Sequence, residues 1–274
     1  MTKESFGIIA GSGEIPHYLI KELSKLEIPF CVVSINGLFE YSKSDDIKCE
    51  EFFIGQVSGI IRFLHSHNVT KICLVGKVEK PKFSDLKVDF KGSVLLAQIG
   101  KKKLLGDDNI LRSVISFLER QNIAVVSVLD ICANLIMGAP GLYTNTKLYK
   151  SFEEDLNIAI DVHQSLASFD IGQSLIMQDK RVIGIEGSEG TDNLIKRCGQ
   201  YIDIKNNKLA ILVKFAKKNQ DLRVDLPTIG IQTLENMREG NIKVLIVDAK
   251  NTLFVNKEKV IEFANKHKIL IYGI

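Results

Sequence analysis

The chain has 274 residues, 45% of them hydrophobic and 25% charged, with a formal net charge of +3. This is ordinary globular composition, enough for one large domain or two of common size, and it excludes collagenous and linker-like classes. Charge is close to balanced and no basic recognition module is present, so no nucleic-acid partner is expected.

Residues 6–10 form a short apolar run with β-branched members, which predicts a strand ended by Gly11-Ser12-Gly13. Leu19, Ile20, Leu23 and Leu26 then recur at helical spacing. A second strand is predicted over 30–35, ended by Asn36-Gly37. Val57, Ile60, Ile61 and Leu64 follow the pattern of one buried helix face. Residues 72–75 read as a third strand closed by Gly76. Ile110, Leu111, Val114 and Leu118 mark a further helix, and residues 123–129 a fourth strand. Continuous apolar strands alternating with amphipathic helices imply a parallel sheet covered on both faces, in a Rossmann-like arrangement.

The pattern lapses between Cys132 and Tyr149, where Gly138, Pro140 and Gly141 fall. This places a boundary there and predicts two domains, residues 1–134 and 135–274. Ser151 and Glu154 read as a capping box opening a helix that carries Phe152, Leu156, Ile160, His163 and Leu166 along one side. Strands over 174–177 and 182–185 are joined by a turn at Asp179-Lys180, and a helix over 191–197 and a strand over 209–215 follow. Residues 228–237 read as a helix entered through Pro227. Strands over 244–247, 253–254 and 269–272, with a helix over 257–266, complete the chain. The fold class is therefore α/β: a Rossmann-like N-terminal domain with a parallel sheet, then a second domain of mixed α/β type.

Several loops have residues suited to chemistry. Gly11-Ser12-Gly13-Glu14-Ile15-Pro16 turns from strand to helix, a place where backbone N–H groups meet phosphate; a tight turn without ligand is the alternative. A dinucleotide fingerprint would have glycine where Pro16 stands and an acid where Asn36 stands, so NAD is disfavoured. Gly76-Lys77 follows the third strand, and Lys77 is either a cation for a diphosphate or a solvated lysine. Asp107 and Asp108 either help to hold Mg²⁺ or cap a helix. Glu186-Gly187-Ser188-Glu189-Gly190-Thr191-Asp192 combines glycines, acids and hydroxyls before a helix, which suits phosphate and cation together; an ordinary acidic surface loop is the alternative. Asp225 lies between Val224 and Leu226, either as a metal ligand or proton acceptor or as the cap of the 228–237 helix.

The five histidines form no metal-ligand pattern and are read as structural or exposed. The five cysteines, Cys31, Cys49, Cys73, Cys132 and Cys198, include no CxxC pair; an odd, unpaired set indicates a reducing compartment. The polar start at residues 1–6 is unlike a signal peptide. No apolar run approaches the roughly 20 residues of a membrane span. A cytoplasmic protein, at most peripheral to a membrane, is expected. The Lys101-Lys102-Lys103 cluster is either a solvated segment or a weak attraction for anionic headgroups.

Five segments occur together over nearly the whole chain. They are 7–13 with Pro16, Gly106-Asp107-Asp108 with Arg112, Asp170-Ile171-Gly172-Gln173, Glu189-Gly190-Thr191-Asp192, and Val224-Asp225-Leu226-Pro227-Thr228-Ile229-Gly230. In this order the set resembles the motifs of the LpxI family of UDP-2,3-diacylglucosamine diphosphatases. The resemblance implies a Mg²⁺-dependent enzyme of lipid A biosynthesis. It would hydrolyse UDP-2,3-diacylglucosamine to UMP and 2,3-diacylglucosamine 1-phosphate (lipid X). It further implies a homodimer that visits the inner-membrane surface and holds its lipid product between two domains. Under this reading Asp225 is the catalytic candidate. The substrate-binding candidates are Gly11, Ser12, Gly13, Gly76, Lys77, Gln173, Gly190, Thr191, Lys214 and Thr228, and the metal candidates are Asp107, Asp108, Glu189 and Asp192. A Rossmann oxidoreductase and a non-catalytic nucleotide-binding module are the alternatives.

Overall fold

A computed structural model describes residues 5–41, 47–78, 86–100, 107–146, 152–166, 169, 171–205, 208–217 and 220–274. For Asp107 and Asp108 it describes the backbone alone. The chain divides into two compact units, Met1–Ala133 and Asn134–Ile274.

The first unit runs β1 (Ser5–Ala10), α1 (Ile15–Lys25), β2 (Phe30–Ile35), β3 (Cys49–Phe52), α2 (Val57–Ser66), β4 (Val69–Val75), α3 (Phe90–Gly100), α4 (Asp107–Glu119) and β5 (Ala124–Val125). The strands are all parallel, in the order β3-β2-β1-β4-β5. The chain steps outward from β1 to β3, then returns to the other side of β1 with β4. Strand order thus reverses between β1 and β4, and the carboxyl edge at such a reversal is where open α/β sheets bind ligands. Ile8, Val32, Val33, Ile72 and Cys73 are fully buried, as expected of central strands covered on both faces. Burial pushes the Cys31 thiol up to about 12 and raises that of Cys73 as well, so both behave as small hydrophobes.

α1 buries Ile15, Pro16, Leu19 and Leu23. Leu26 is not on that face: the helix ends at Lys25, and Leu26 is 52% exposed at the C-cap. α2 buries the anticipated Val57, Ile60, Ile61 and Leu64. α3 and the edge strand β3 were absent from the sequence expectations. Val57, Ile61, Leu95 and Phe117 join α2, α3 and α4 in one cluster. Asp89 secures that corner, its carboxylate accepting from Gly92 N of α3 at 2.9 Å and from Ser58 N and Gly59 N of α2 at 2.7 and 3.3 Å. The strand expected over 123–129 is only Ala124–Val125. Ser127 stops it by capping a 3₁₀ turn, Val128–Asp130, while Asp130 accepts from the Ser127 N–H.

The second unit runs β6 (Gly141–Leu142), α5 (Glu153–Leu166), β7 (Ser174–Gln178), β8 (Arg181–Ile185), α6 (Thr191–Gly199), β9 (Ala210–Lys214), β10 (Thr228–Ile229), α7 (Ile231–Glu239), β11 (Ile242–Val247), β12 (Leu253–Phe254), α8 (Lys257–Lys266) and β13 (Leu270–Gly273). Its main sheet has the order β6-β13-β11-β9-β7-β8. β13, β11 and β9 are parallel, whereas β7, β8 and β6 join antiparallel. Alternation along the strands feeds two cores. Ala210, Leu212, Leu245, Val247 and Ile271 face Leu194, Leu234, Met237 and Val260 of α6, α7 and α8. Ile211, Val213, Val244, Ile246 and Leu270 face the side bearing Phe152 and Ala159. The β7–β8 turn sets both Asp179 and Lys180 at positive φ, 51° and 64°. The buried carboxylate of Asp155 accepts from both of their N–H groups.

The helix expected over 228–237 needs correction. Thr228–Ile229 is strand, paired in parallel with β12, and the helix starts at Ile231 behind Gly230. Leu253 N donates to Pro227 O and Val255 N to Ile229 O, so a tertiary ladder overrides the local proline signal. The capping box expected at Ser151 lies outside the described residues; Glu154 pairs with Lys180 at 2.9 Å.

Candidate functional site

In the first unit, β1 ends in Gly11-Ser12-Gly13 and β4 in Gly76-Lys77. Ser12 N donates to Lys77 O and Lys77 N to Ser12 O, each at 2.9 Å, and the Ser12 hydroxyl adds a 3.0 Å bond to Lys77 O. This approach requires bare backbone. A Cβ on Gly11 would sit 2.5 Å from Lys77 O; one on Gly76, where φ is 88°, would sit 2.8 Å from the backbone of Gly11 and Ser12. These two glycines are therefore occupied in joining the loops. Gly13 differs: its φ is 104°, and nothing lies within 4 Å of where a Cβ would stand. It lines a cleft of about 280 Å³ with Ser12, His17, Leu38, Phe39 and Glu40, where β1 and β2 give way to their loops. Asn36, at the position of a dinucleotide-binding acid, uses its side-chain oxygen to accept from Ile54 N at 3.0 Å. Gly106 lies outside the described residues, as do the side chains of Asp107 and Asp108.

In the second unit the sheet's central strand carries a lysine into the interior. Lys214 closes β9 and is 8% exposed. Its Nζ donates to Thr191 Oγ1 at 2.9 Å and to the Thr228 carbonyl at 3.1 Å. Burial lowers its pKa below the ordinary lysine value, opposed by the negative charges of Glu186, Asp192 and Asp225. The attraction of these acids and the two hydrogen bonds together offset part of the cost of burying the ammonium. The Thr191 hydroxyl is the hub: it donates to Glu186 Oε2 at 3.2 Å and lies 3.0 Å from Ser174 Oγ.

The neighbouring loops hold this hub in place. Gln173 O accepts from Phe215 N at 3.1 Å, and Gly172 N donates to Glu186 O at 3.0 Å. Gly190, at φ 79°, is the N-cap of α6. Asp225 precedes β10 and caps no helix, because the cap of α7 is Gly230. The buried amide of Gln220 grips it, Nε2 donating to both the backbone oxygen and Oδ2 of Asp225. Thr228 contributes its carbonyl to Lys214, while its hydroxyl donates to Leu226 O at 3.1 Å.

The structure therefore brings Asp225, Asp192, Thr191, Lys214 and Thr228 to one place, with Gln173 and Gly190 on the loops that frame it. Glu189 turns elsewhere, to Arg197 at 2.7 Å and Gly187 N at 3.0 Å, and the Arg197 guanidinium holds its carboxyl below the usual range. Among the described residues, no three His, Cys, Asp or Glu side chains stand together as a metal-binding group. Ser174, Glu186 and Gln220 are additional members of the cluster. Glu186 was visible as an acid ending a strand, but Ser174 and Gln220 left no signal beyond being polar.

A doubly wound parallel unit followed by a mixed α/β unit that buries a lysine among carboxylates defines a two-unit α/β protein with a Rossmann-like N-terminal part. Residues 5–135 match the LpxI N-terminal domain and residues 139–272 the LpxI C-terminal domain. The chain belongs to the LpxI family. It is similar to the UDP-2,3-diacylglucosamine pyrophosphatase LpxI of Caulobacter vibrioides, with 26% identity over 272 residues, covering 98% of this chain and 96% of the relative. No helix among the described residues is long and apolar enough to cross a membrane.

Proposed function

We propose that the chain hydrolyses the pyrophosphate of UDP-2,3-diacylglucosamine, releasing UMP and 2,3-diacylglucosamine 1-phosphate. The observation that carries this reading is the cluster around Lys214, within a chain whose whole length matches the family. Cleaving a phosphoric anhydride is mainly a matter of positioning and charge neutralisation. Asp225, held from behind by Gln220, accepts a proton as water forms its bond to phosphorus and the bridging P–O bond breaks. The bond electrons leave with the departing phosphate. Lys214 supplies fixed positive charge and, with Glu186, orients the Thr191 hydroxyl.

Magnesium suits this donor set, since it is commonly held by one or two carboxylates together with water and substrate phosphate. Asp192 is the residue that would hold it, with water and substrate phosphate completing the shell. When bound it would neutralise charge on the phosphoryl oxygens. A homodimer, a cytoplasmic location and transient contact with the inner-membrane surface belong to the same reading and rest on the family resemblance.

The test is UMP release from UDP-2,3-diacylglucosamine by the purified chain, with Mg²⁺ and with chelator. Wild type should turn over only with the metal. General-base assistance is typically worth about 10²–10⁴-fold. Asp225→Asn should lose at least that much turnover while melting near wild type, because the amide can still accept from Gln220. Turnover within a few-fold of wild type would remove Asp225 from the mechanism.

A further inference from the structure

Helix α3 of the first unit is apolar on two opposite sides, and among the described residues only one side is covered. Gly92 and Leu95 are buried, and Leu95 and Ile99 pack with Val57, Ile61 and Phe117 of α2 and α4. On the other side Phe90, Val94 and Ala97 recur at i, i+4 and i+7, the spacing of one helix face. All three are exposed, Phe90 by 81%, and so is Val88 just ahead of the helix. Ser93 beside them turns its hydroxyl back to Asp89 O at 3.1 Å. A helix with apolar residues all round is normally enclosed, and α3 is enclosed on one side.

The charges next to this stripe are positive. Lys91 is the charged residue of α3, and its Nζ donates to Gln121 Oε1. On the same flank Gln98 accepts from Arg120 at 2.7 Å, while Lys87 Nζ lies 3.8 Å above the Phe53 ring. All three partners are neutral, so these contacts leave the cations able to meet an anion. Asp89 is turned inward, onto the N–H groups of Ser58, Gly59 and Gly92. Beyond Gly100 the sequence continues with Lys101-Lys102-Lys103, whose side chains lie outside the described residues. An exposed aromatic and aliphatic stripe bordered by lysine and arginine is the chemistry of a helix lying in the headgroup region of an anionic bilayer. A protein partner fits less well, since three side chains offer far less than the roughly 800 Å² per partner of a stable interface.

The stripe has a fixed seat. Asp89 ties the start of α3 to the first turn of α2, and its N–H donates to Gly55 O at 3.2 Å. A Cβ on Gly92 would collide with the same Gly55 oxygen. Because α2 follows the carboxyl end of β3, Phe90 stands at the carboxyl edge of the parallel sheet. We propose that the face of α3 bearing Phe90, Val94 and Ala97 docks reversibly on an anionic phospholipid surface. Phe90 enters the headgroup region, and Lys87, Lys91 and Arg120 meet its phosphates. This deepens the proposed function by naming the surface through which a lipid-linked substrate is met, and it rests on that reading for the substrate alone.

The experiment is sedimentation of the full chain with vesicles of phosphatidylcholine, alone or mixed with phosphatidylglycerol, for wild type, Phe90→Ser and Val94→Ser. Each cation near an anionic surface is worth about fivefold in affinity. Wild type should therefore sediment with the mixed vesicles, far less with the neutral ones, and be released by high salt. Phe90→Ser should lower the partition coefficient about tenfold through the apolar area lost, and Val94→Ser by a smaller factor. Both variants should melt near wild type, because the altered side chains are exposed. Wild type that ignores the mixed vesicles, or Phe90→Ser that binds them as tightly as wild type, would overturn the docking face. Absence of vesicle binding together with dissociation of an oligomer in Phe90→Ser would overturn it in favour of a contact between copies of the chain. UMP release from detergent-dispersed UDP-2,3-diacylglucosamine should be alike in wild type and Phe90→Ser. Failure of wild type to release UMP there would overturn the proposed hydrolysis, while sedimentation, which needs no turnover, still decides the docking face.

Discussion

At the scale of single residues, the two glycine loops show how one atom decides a role. Gly76 and Gly13 both have positive φ, yet only Gly76 faces backbone at a distance no side chain tolerates. Gly76→Ala therefore combines an unfavourable φ with a steric clash, whereas Gly13→Ala has the φ penalty alone. Left-handed backbone at a non-glycine residue costs about 1–3 kcal/mol, so both variants should be less stable than wild type. Gly76→Ala should show the larger fall in urea midpoint, since Gly11, Ser12 and Lys77 must move to admit the methyl. Equal midpoints for the two variants would mean that the β1 and β4 loops separate freely. Lys214 is the corresponding case in the second unit, where a polar residue ends an otherwise apolar strand and its ammonium donates to Thr191 and the Thr228 carbonyl.

At the scale of elements, Asp89 shows how one side chain can set two helices. It caps α3 through Gly92 and meets the first turn of α2 through Ser58 and Gly59. Burial alone would raise its carboxyl, but the hydrogen bonds from Gly92, Ser58 and Gly59 outweigh it and hold the pKa below the usual 3.8. Between the folded value and 3.8 the unfolded chain binds more protons than the native state, so stability rises with pH across that window. The contribution is complete above 3.8 and is lost as pH falls through the folded value. Asp89→Ala should lower stability at neutral pH by about 1–2 kcal/mol, the usual cost of a lost cap. The gap between variant and wild type should narrow in acid, as followed by urea unfolding from pH 7 down to pH 3. A gap independent of pH would show that the carboxylate charge contributes nothing.

At the scale of the whole molecule, each unit has its own sheet and its own core. The second unit is covered on both faces, by α6, α7 and α8 through one cluster and by the α5 side through the other. Among the described residues, its strands draw partners only from residues beyond Asn134. A fragment of residues 134–274 is within the usual size of an independent domain and should fold alone. The expected result is a cooperative thermal transition with near-ultraviolet dichroism. A fragment that binds hydrophobic dye and melts without cooperativity would show that the second unit needs the first.

Periodicity in the sequence sufficed for β1, β2, β4, α2, the β7–β8 hairpin and α8, because each carries a one-sided or continuous apolar pattern that only one element type can bury. The family motifs likewise pointed to Asp225, Thr191 and the glycine loop without any coordinates. Other features depended on partners distant in sequence. Thr228–Ile229 is strand because Leu253 and Val255 supply its ladder, although the residues themselves read as a helix start. The β5 strand is short because Ser127 turns the chain, and α3 is held by an aspartate whose partners on α2 are 30 and 31 residues upstream. Glu189 and Glu186 are three positions apart in one acidic loop, and nothing local says which meets Thr191 and which is drawn to Arg197. Hydrophobic pattern is a local property and can be read along the chain. The ownership of a buried charge or an unpaired backbone group is settled only when the fold brings its partner within hydrogen-bond reach.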